Sequence, residues 1–193
     1  MVNPTKQPLS DPEPTTRRDI LYIIAGTTGV MAAAAGLRPL AENVGGLNLT
    51  PFDPFEHPRV DLAPIAEGAS VRVIWRRQTV LVRHRTQREI AAARTVDLKG
   101  LPDALARNPQ LPADAPAHDV NRTKPGHERW LVILGMCPHL GCVVGPGGDY
   151  GGWICPCHTA HFDSSGRVRA GPPRRNLGIP PYRFVTDTLI EIG

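Results

Sequence analysis

Two stretches decide how this chain is read: Cys137-Pro138-His139-Leu140-Gly141-Cys142 and Cys155-Pro156-Cys157-His158-Thr159-Ala160-His161-Phe162-Asp163. The chain has 193 residues, and its four cysteines all lie here, with two of its seven histidines at matching offsets. Reduced to donor atoms, the pattern is Cys137-x-His139 and then Cys155-x-x-His158, one thiolate and one imidazole from each stretch. Four such donors suit a structural zinc ion, so zinc is the plain alternative. However, Cys-x-His is tighter than the Cys-x-x-Cys of a finger knuckle, and zinc leaves Cys142 and Cys157 without a role. A two-iron, two-sulfide cluster answers both points, with two thiolates on one iron and two imidazoles on the other. Cys142 and Cys157 sit at corresponding positions beyond the first donors of their stretches. A disulfide between them would staple one stretch to the other.

Working outward, both stretches follow strand-like segments: Arg129–Gly135 runs into Cys137, and Gly151–Ile154 runs into Cys155. Val71–Trp75 and Thr79–Thr86 alternate or run β-branched about a turn at Arg77–Gln78, as paired strands do. Gln87–Arg94 reads as one short helix. Residues 99–125, rich in Pro, Asn and Asp and without periodicity, read as loop with at most one helical turn. His161–Val168 turns through Ser164–Gly166, and Tyr182–Gly193 reads as a hairpin about Thr186–Asp187. No repeat of solenoid length is present. The expectation is a mainly β protein: a small antiparallel β head whose cluster-binding loops occupy residues 135–175. Its 21 prolines and 19 glycines agree with a loop-rich head. Arg76, Arg77, Arg83, Arg85 and Arg88 read as a solvated strand surface. His57, His84, His118 and His127 lack partner donors and read as exposed. His161 reads as a neighbour of the centre or a surface residue.

The N-terminal part has a different character. Arg17 and Arg18 precede an uncharged run, Ile20–Leu37. As a helix that run spans about 27 Å at 1.5 Å per residue, close to the hydrocarbon thickness of about 30 Å. It reads as a single transmembrane anchor, with a signal cleaved near the alanines at 32–35 as the alternative. The arginine pair favours a cytoplasmic N-terminus and matches the twin-arginine (Tat) export pattern. The expected organisation is 1–40 tail and anchor, 41–50 flexible tether around Gly45 and Gly46, and 51–193 head. The net charge of +4 comes without a basic, aromatic-interleaved tract, which argues against nucleic acid as a partner.

Together these residues resemble the Rieske iron–sulfur subunits of bacterial cytochrome bc complexes. The resemblance runs through TRRDIL (16–21), VLVRHRT (80–86), WLVILGMCPHLGC (130–142), CPCH (155–158) and GPPRRNLGIPPY (171–182), covering nearly the whole chain. It implies one 2Fe–2S cluster, with Cys137 and Cys155 on the inner iron and His139 and His158 on the outer one. It also implies a Cys142–Cys157 disulfide, a covering loop at Gly171, Pro172 and Pro173, and Leu140, Ala160 and Phe162 flanking the centre. The implied activity is that of a redox subunit of quinol–cytochrome c oxidoreductase. One electron is taken from quinol, with proton release at His158 beside His139, and passed to a cytochrome c subunit. Implied partners are that subunit, a cytochrome b subunit, quinol and the lipid bilayer. The implied location is the bacterial inner membrane, single-pass, with the head on the periplasmic side. A Rieske subunit of another exported oxidoreductase, such as arsenite oxidase, is the alternative; a soluble Rieske ferredoxin would lack the anchor and the extra cysteines. The family commonly has Gly, Ser and Tyr where this chain has Thr159, Ala160 and Phe162, and Thr where it has Pro138. The two lost hydroxyl donors imply a lower cluster potential.

Overall fold

The computed structural model describes residues 16–18, 20–24, 27 and 57–193. The chain divides into two compact units, residues 1–51 and 52–193. In the first unit, residues 17–18, 20–24 and 27 are helical, and the Arg18 guanidinium lies 5.6 Å from the centre of the Tyr22 ring. Most of the expected anchor and all of the expected tether lie outside the described residues. Among the described residues no helix is long and apolar enough to cross a membrane.

The second unit is built on antiparallel sheets, as expected. Strands β1 (Arg59–Asp61), β9 (Tyr182–Thr186) and β10 (Leu189–Ile192) form one, ordered β1-β10-β9. Strands β2 (Ser70–Trp75), β3 (Gln78–His84) and β4 (Trp130–Leu134) form the second in chain order, and β5 (Gly145–Gly147), β6 (Gly151–Cys155), β7 (Ala160–Asp163) and β8 (Val168–Ala170) the third. The β-branched runs of β3 and β4 sit in the middle of the core: Val80, Val82, Leu131, Val132 and Ile133 have no exposed surface. A strand buried on both faces reads as a continuous apolar run rather than an alternation.

The β2–β3 turn is one residue earlier than expected. Trp75 pairs with Gln78, leaving Arg76 and Arg77 at the corner with φ of 48° and 62°. A two-residue hairpin turn with both φ positive is ordinarily signalled by Asn-Gly, and an Arg-Arg pair carries no such signal. The Arg76 guanidinium lies over the Trp75 indole, 4.8 Å from its centre. The last hairpin likewise turns at Asp187–Thr188 rather than Thr186–Asp187, because Thr186 pairs with Leu189.

The short helix is α1 (Gln87–Arg94). Thr86 caps it by accepting from the Glu89 N–H while the Glu89 carboxylate accepts from the Thr86 N–H. That reciprocal cap contributes roughly 1 kcal/mol, and Ile90 and Ala93 bury the inner face.

The arginine expectation fails at two positions. Arg85 has no exposed surface and forms a two-pronged pair with Asp119 at 2.6 and 3.2 Å; Arg83 pairs with Glu89 at 2.5 Å. The segment 99–125 is also more ordered than its composition suggests. It carries 3-10 turns at Leu98–Gly100 and Asp119–Asn121 and a bridge between Leu105 and Pro116. Buried Arg122 holds it down by donating to the carbonyls of Ala106, Ser165 and Leu177. Burial pulls the pKa of this guanidinium down to about 10, so it stays charged at neutral pH. His84 and His127 are half-buried rather than exposed, stacked on Trp130 at 4.1 Å and on Phe184 at 3.7 Å.

Candidate metal centre

Strands β4 and β6 carry the two cysteine-bearing stretches, and in each the chain turns sharply just past the strand. After β4 the turn is closed by a Met136–Val143 bridge, by Cys137 N–H donating to the Cys142 carbonyl at 2.8 Å, and by Gly141 N–H donating to the Cys137 carbonyl at 2.9 Å. Gly141 has φ of 78°, a left-handed corner that glycine supplies without strain. After β6 the chain reverses within residues 156–159, and Cys155 pairs across the hairpin with Ala160. Thr159 makes that reversal at φ of 48°, unfavourable for a β-branched residue.

This construction buries both first cysteines and exposes both histidines. Cys137 and Cys155 are 2% exposed, unbonded thiols. Burial pushes the Cys137 thiol up; the backbone N–H of His139 opposes this, and neighbouring Cys155 adds to it. His139 and His158 are exposed, with ring centres 4.7 Å apart and planes at 83°. Cys142 and Cys157 form a disulfide that ties the two turns together. The sulfurs of Cys142, Cys155 and Cys157 lie within 4.8 Å of one another, but two of them are spent on that bond. The free donors are therefore a buried thiol pair and an exposed imidazole pair. Such a division fits a two-iron cluster with thiolates on one iron and imidazoles on the other.

The remaining expected residues gather around these donors in different ways. Ala160 and Phe162 are buried, and Phe162 lies opposite Trp153. Gly171 packs against the second turn so closely that a Cβ there would meet Ala160 Cα at 2.7 Å. Of the next two residues, Pro173 is buried and Pro172 exposed. Leu140 projects at the tip, 70% exposed. His161 points elsewhere: its Nδ1 accepts the Asp149 N–H at 3.1 Å.

Several residues that hold the centre in place escaped the sequence reading. Asn176, 2% exposed, accepts the Val168 N–H and donates to the carbonyls of Asp103 and Leu105, fixing the loop after Pro173. Asp163 accepts from the N–H groups of Ser165 and Arg167 and pairs with the Arg167 guanidinium at 2.7 Å. Asp119 binds Arg85 and accepts from the Ser165 hydroxyl, joining the middle sheet to the third. Burial alone pushes the Asp119 carboxyl up, but Arg85 and the Ser165 hydroxyl reverse this and hold it below the ordinary carboxylate range. An Asp two residues ahead of a Ser-Gly turn is a legible signal for the Asp163 cap. The arginine and asparagine anchors have no signal of that kind.

Comparison with known proteins gives a consistent result. The family profile described as the Rieske [2Fe-2S] domain matches residues 80–183. A protein of Bradyrhizobium diazoefficiens called ubiquinol-cytochrome c reductase iron-sulfur subunit is 42% identical over 92% of this chain and 94% of its own length. One of Blastochloris viridis with the same name is 40% identical over 95% and 96%. Among solved structures, a chain titled "Hyperthermophilic respiratory Complex III" superimposes with a TM-score of 0.44 at 19% identity, over 87% of this chain and 98% of that one.

Proposed function

The chain belongs to the Rieske family and, within it, to the ubiquinol-cytochrome c reductase iron-sulfur subunits, and on that premise we propose how its own residues serve the transfer of electrons from quinol. Its cofactor is one 2Fe–2S cluster. Cys137 and Cys155 would hold one iron as thiolates, and His139 and His158 would hold the other. The buried thiol pair beside the exposed imidazole pair is the observation that carries this assignment. When bound, the cluster supplies one-electron acceptance and a metal charge that makes its imidazole ligands more acidic.

His158 is exposed, and the ring nitrogen not holding the cluster, once deprotonated, would accept a hydrogen bond from a quinol hydroxyl and take up the proton. His139 stands beside it with its ring nearly perpendicular. Exposed Leu140 and Pro138 give the tip an apolar skin that sheds water where a quinone ring and its protein pocket approach. The Cys142–Cys157 bond holds the two turns in register, and the Gly171–Pro173 segment shields the second turn by its close packing on Ala160.

The further organisation belongs to the same proposal. Ile20–Leu37 anchors the chain once in the bacterial inner membrane, with Arg17 and Arg18 on the cytoplasmic side. Residues 41–50 form a flexible tether, and the head, from residue 51 onward, lies in the periplasm. The tether lets the head move between a cytochrome b subunit, where quinol binds, and a cytochrome c subunit, which takes the electron. The names of the relatives weigh against another exported oxidoreductase as the host complex.

Purification of the full chain from membranes tests the whole reading. The expected result is a coloured preparation with the electron paramagnetic resonance signal of a Rieske centre, co-purifying with a di-haem cytochrome b and a c-type cytochrome. A colourless chain holding one zinc would overturn the cluster assignment. An intact iron–sulfur signal without either cytochrome would overturn the choice of complex.

A further inference from the structure

The tip of the head carries a one-sided set of charges. Residues 136–150, 154–162 and 168–175 contain one acid, Asp149, against three bases, Arg169, Arg174 and Arg175, a balance of 3 − 1 = +2. Arg169 is partly engaged, 3.8 Å from Asp163 and stacked over Tyr150 at 4.6 Å. Arg174 and Arg175 differ from it: both are exposed, and among the described residues neither forms an ion pair or a hydrogen bond. They are also held in place. Buried Pro173 precedes them, and buried Asn176 follows, its N–H donating to Asp103 at 2.9 Å and its amide to two carbonyls.

Their place in the fold gives the pair a use. Gly171 rests on the second metal-binding turn, and Arg174 follows three residues later, within about 10 Å of extended chain. On the other side, Arg175 shares the wall of a cleft of about 710 Å³ with Cys137 and Pro138 of the first turn. A protein that meets the imidazole tip over a standard interface of about 800 Å² per partner covers a disc roughly 16 Å in radius. Arg175, on the wall it shares with Pro138, and Arg174 next to it lie beside the turns that such an interface covers. Exposed Leu140 on the first turn offers an apolar contact and the exposed arginines a charge, the ingredients of an interface with an apolar core and a charged rim.

We propose that Arg174 and Arg175 are a docking rim that steers the head onto a protein surface with clustered carboxylates beside its redox centre. The inference rests on the reading of the chain as an electron-transfer subunit and identifies the surface of its electron acceptor. Rim charges act mainly on the association rate and its salt dependence, so the pair sets how quickly the head docks.

The test uses the purified complex, in which reduction of the c-type haem is followed after rapid reduction of the cluster. In the native complex the rate falls as ionic strength rises from about 10 mM, where charges are felt over about 30 Å, to about 150 mM, where the range is about 8 Å. The Arg174→Glu/Arg175→Glu double variant keeps the cluster's resonance signal, loses roughly tenfold or more in rate at low salt, and speeds up as salt is added. Arg174→Lys/Arg175→Lys retains the native salt slope. An unchanged rate and slope in the Glu variant, with the haem still reduced, would show a solvated arginine pair and overturn the inference alone. Failure of the native complex to reduce any c-type haem, with its cluster signal intact, would overturn the functional reading and the inference with it.

Discussion

Replacing Asp119 by Asn should destabilise the head severely, although the residue lies outside the metal-binding turns. Asp119 is 3% exposed, and its two oxygens accept from Arg85 at 2.6 and 3.2 Å and from the Ser165 hydroxyl. Arg85 has no exposed surface and, apart from that carboxylate, is satisfied by the Glu128 carbonyl and the Ser165 hydroxyl. The amide keeps the shape of the carboxylate but leaves the guanidinium charge buried without a counter-charge. Breaking a buried pair in this way costs about 3–5 kcal/mol. For a unit of this size, 1 kcal/mol shifts the midpoint by about 2–4 °C, so the melting temperature should fall by roughly 6–20 °C. Circular dichroism of the full chain, with visible absorbance following the cluster, measures it. Arg59→Ala should move the midpoint far less, because Arg59 is largely exposed and Glu191 keeps Arg183 as a partner at 2.6 Å. The carboxyl is held below its ordinary range in the folded protein, so its contribution is complete above the unfolded value near 4 and is lost as pH falls through the folded value. The difference between native and Asn proteins should therefore be constant near neutrality and shrink only in strong acid. A midpoint change of a degree or two at pH 7 would refute the view that this pair locks the two sheets together.

Other perturbations address the centre itself. His139→Ala or His158→Cys should abolish the Rieske resonance signal, whereas His57→Ala or His127→Ala should preserve it; survival of an unaltered signal without His139 would remove that ligand from the assignment. Cys142→Ser with Cys157→Ser should still admit some cluster but leave it labile, through loss of a bond of a type that contributes about 2–4 kcal/mol, as incubation and absorbance decay would record. Ala160→Ser and Phe162→Tyr should each raise the potential: a donor bond about 1–2 kcal/mol stronger in the reduced state corresponds to roughly 40–90 mV on the one-electron scale. Voltammetry reads this directly, and an absent shift would mean those donors do not reach the cluster. Gly45→Pro with Gly46→Pro should slow cytochrome c reduction without changing the cluster spectrum, and equal turnover would rule out a swinging tether.

The two cysteine-bearing turns were legible in the sequence because the chemistry they suggest tolerates few residue types. Thiolate and imidazole donors at fixed offsets point to a metal wherever the chain folds, and a surplus of two cysteines points to a bond between them. The hairpins were legible for a different reason: β3 and β4 are apolar runs whose burial needs no special geometry. The supports of the site were not legible. Arg85, Arg122 and Asn176 work from inside the protein, where a charged or amide side chain is exceptional, and a reading that places polar residues outside sends all three to the surface. Arg76 and Arg77 were misplaced because neither is a residue that prefers the positive φ this turn requires. His84 and His127 stack on aromatic partners far along the chain, at Trp130 and Phe184, which no local pattern announces.

The grip of Arg122 has an evolutionary consequence. Its guanidinium recognises the carbonyl groups of residues 106, 165 and 177, and every amino acid offers the same carbonyl. The grip itself makes no demand on the side chains it clasps, only on the path of the backbone; those side chains answer to their own burial and, at Ser165, to the hydroxyl bond with Asp119. Selection can retune the surroundings of the centre, as the Ala160 and Phe162 positions illustrate, without renegotiating what keeps the loops in place. In a set of diverged sequences, position 122 should stay fixed while residues 106 and 177, whose carbonyls accept from it, exchange among side chains that fit their buried sites.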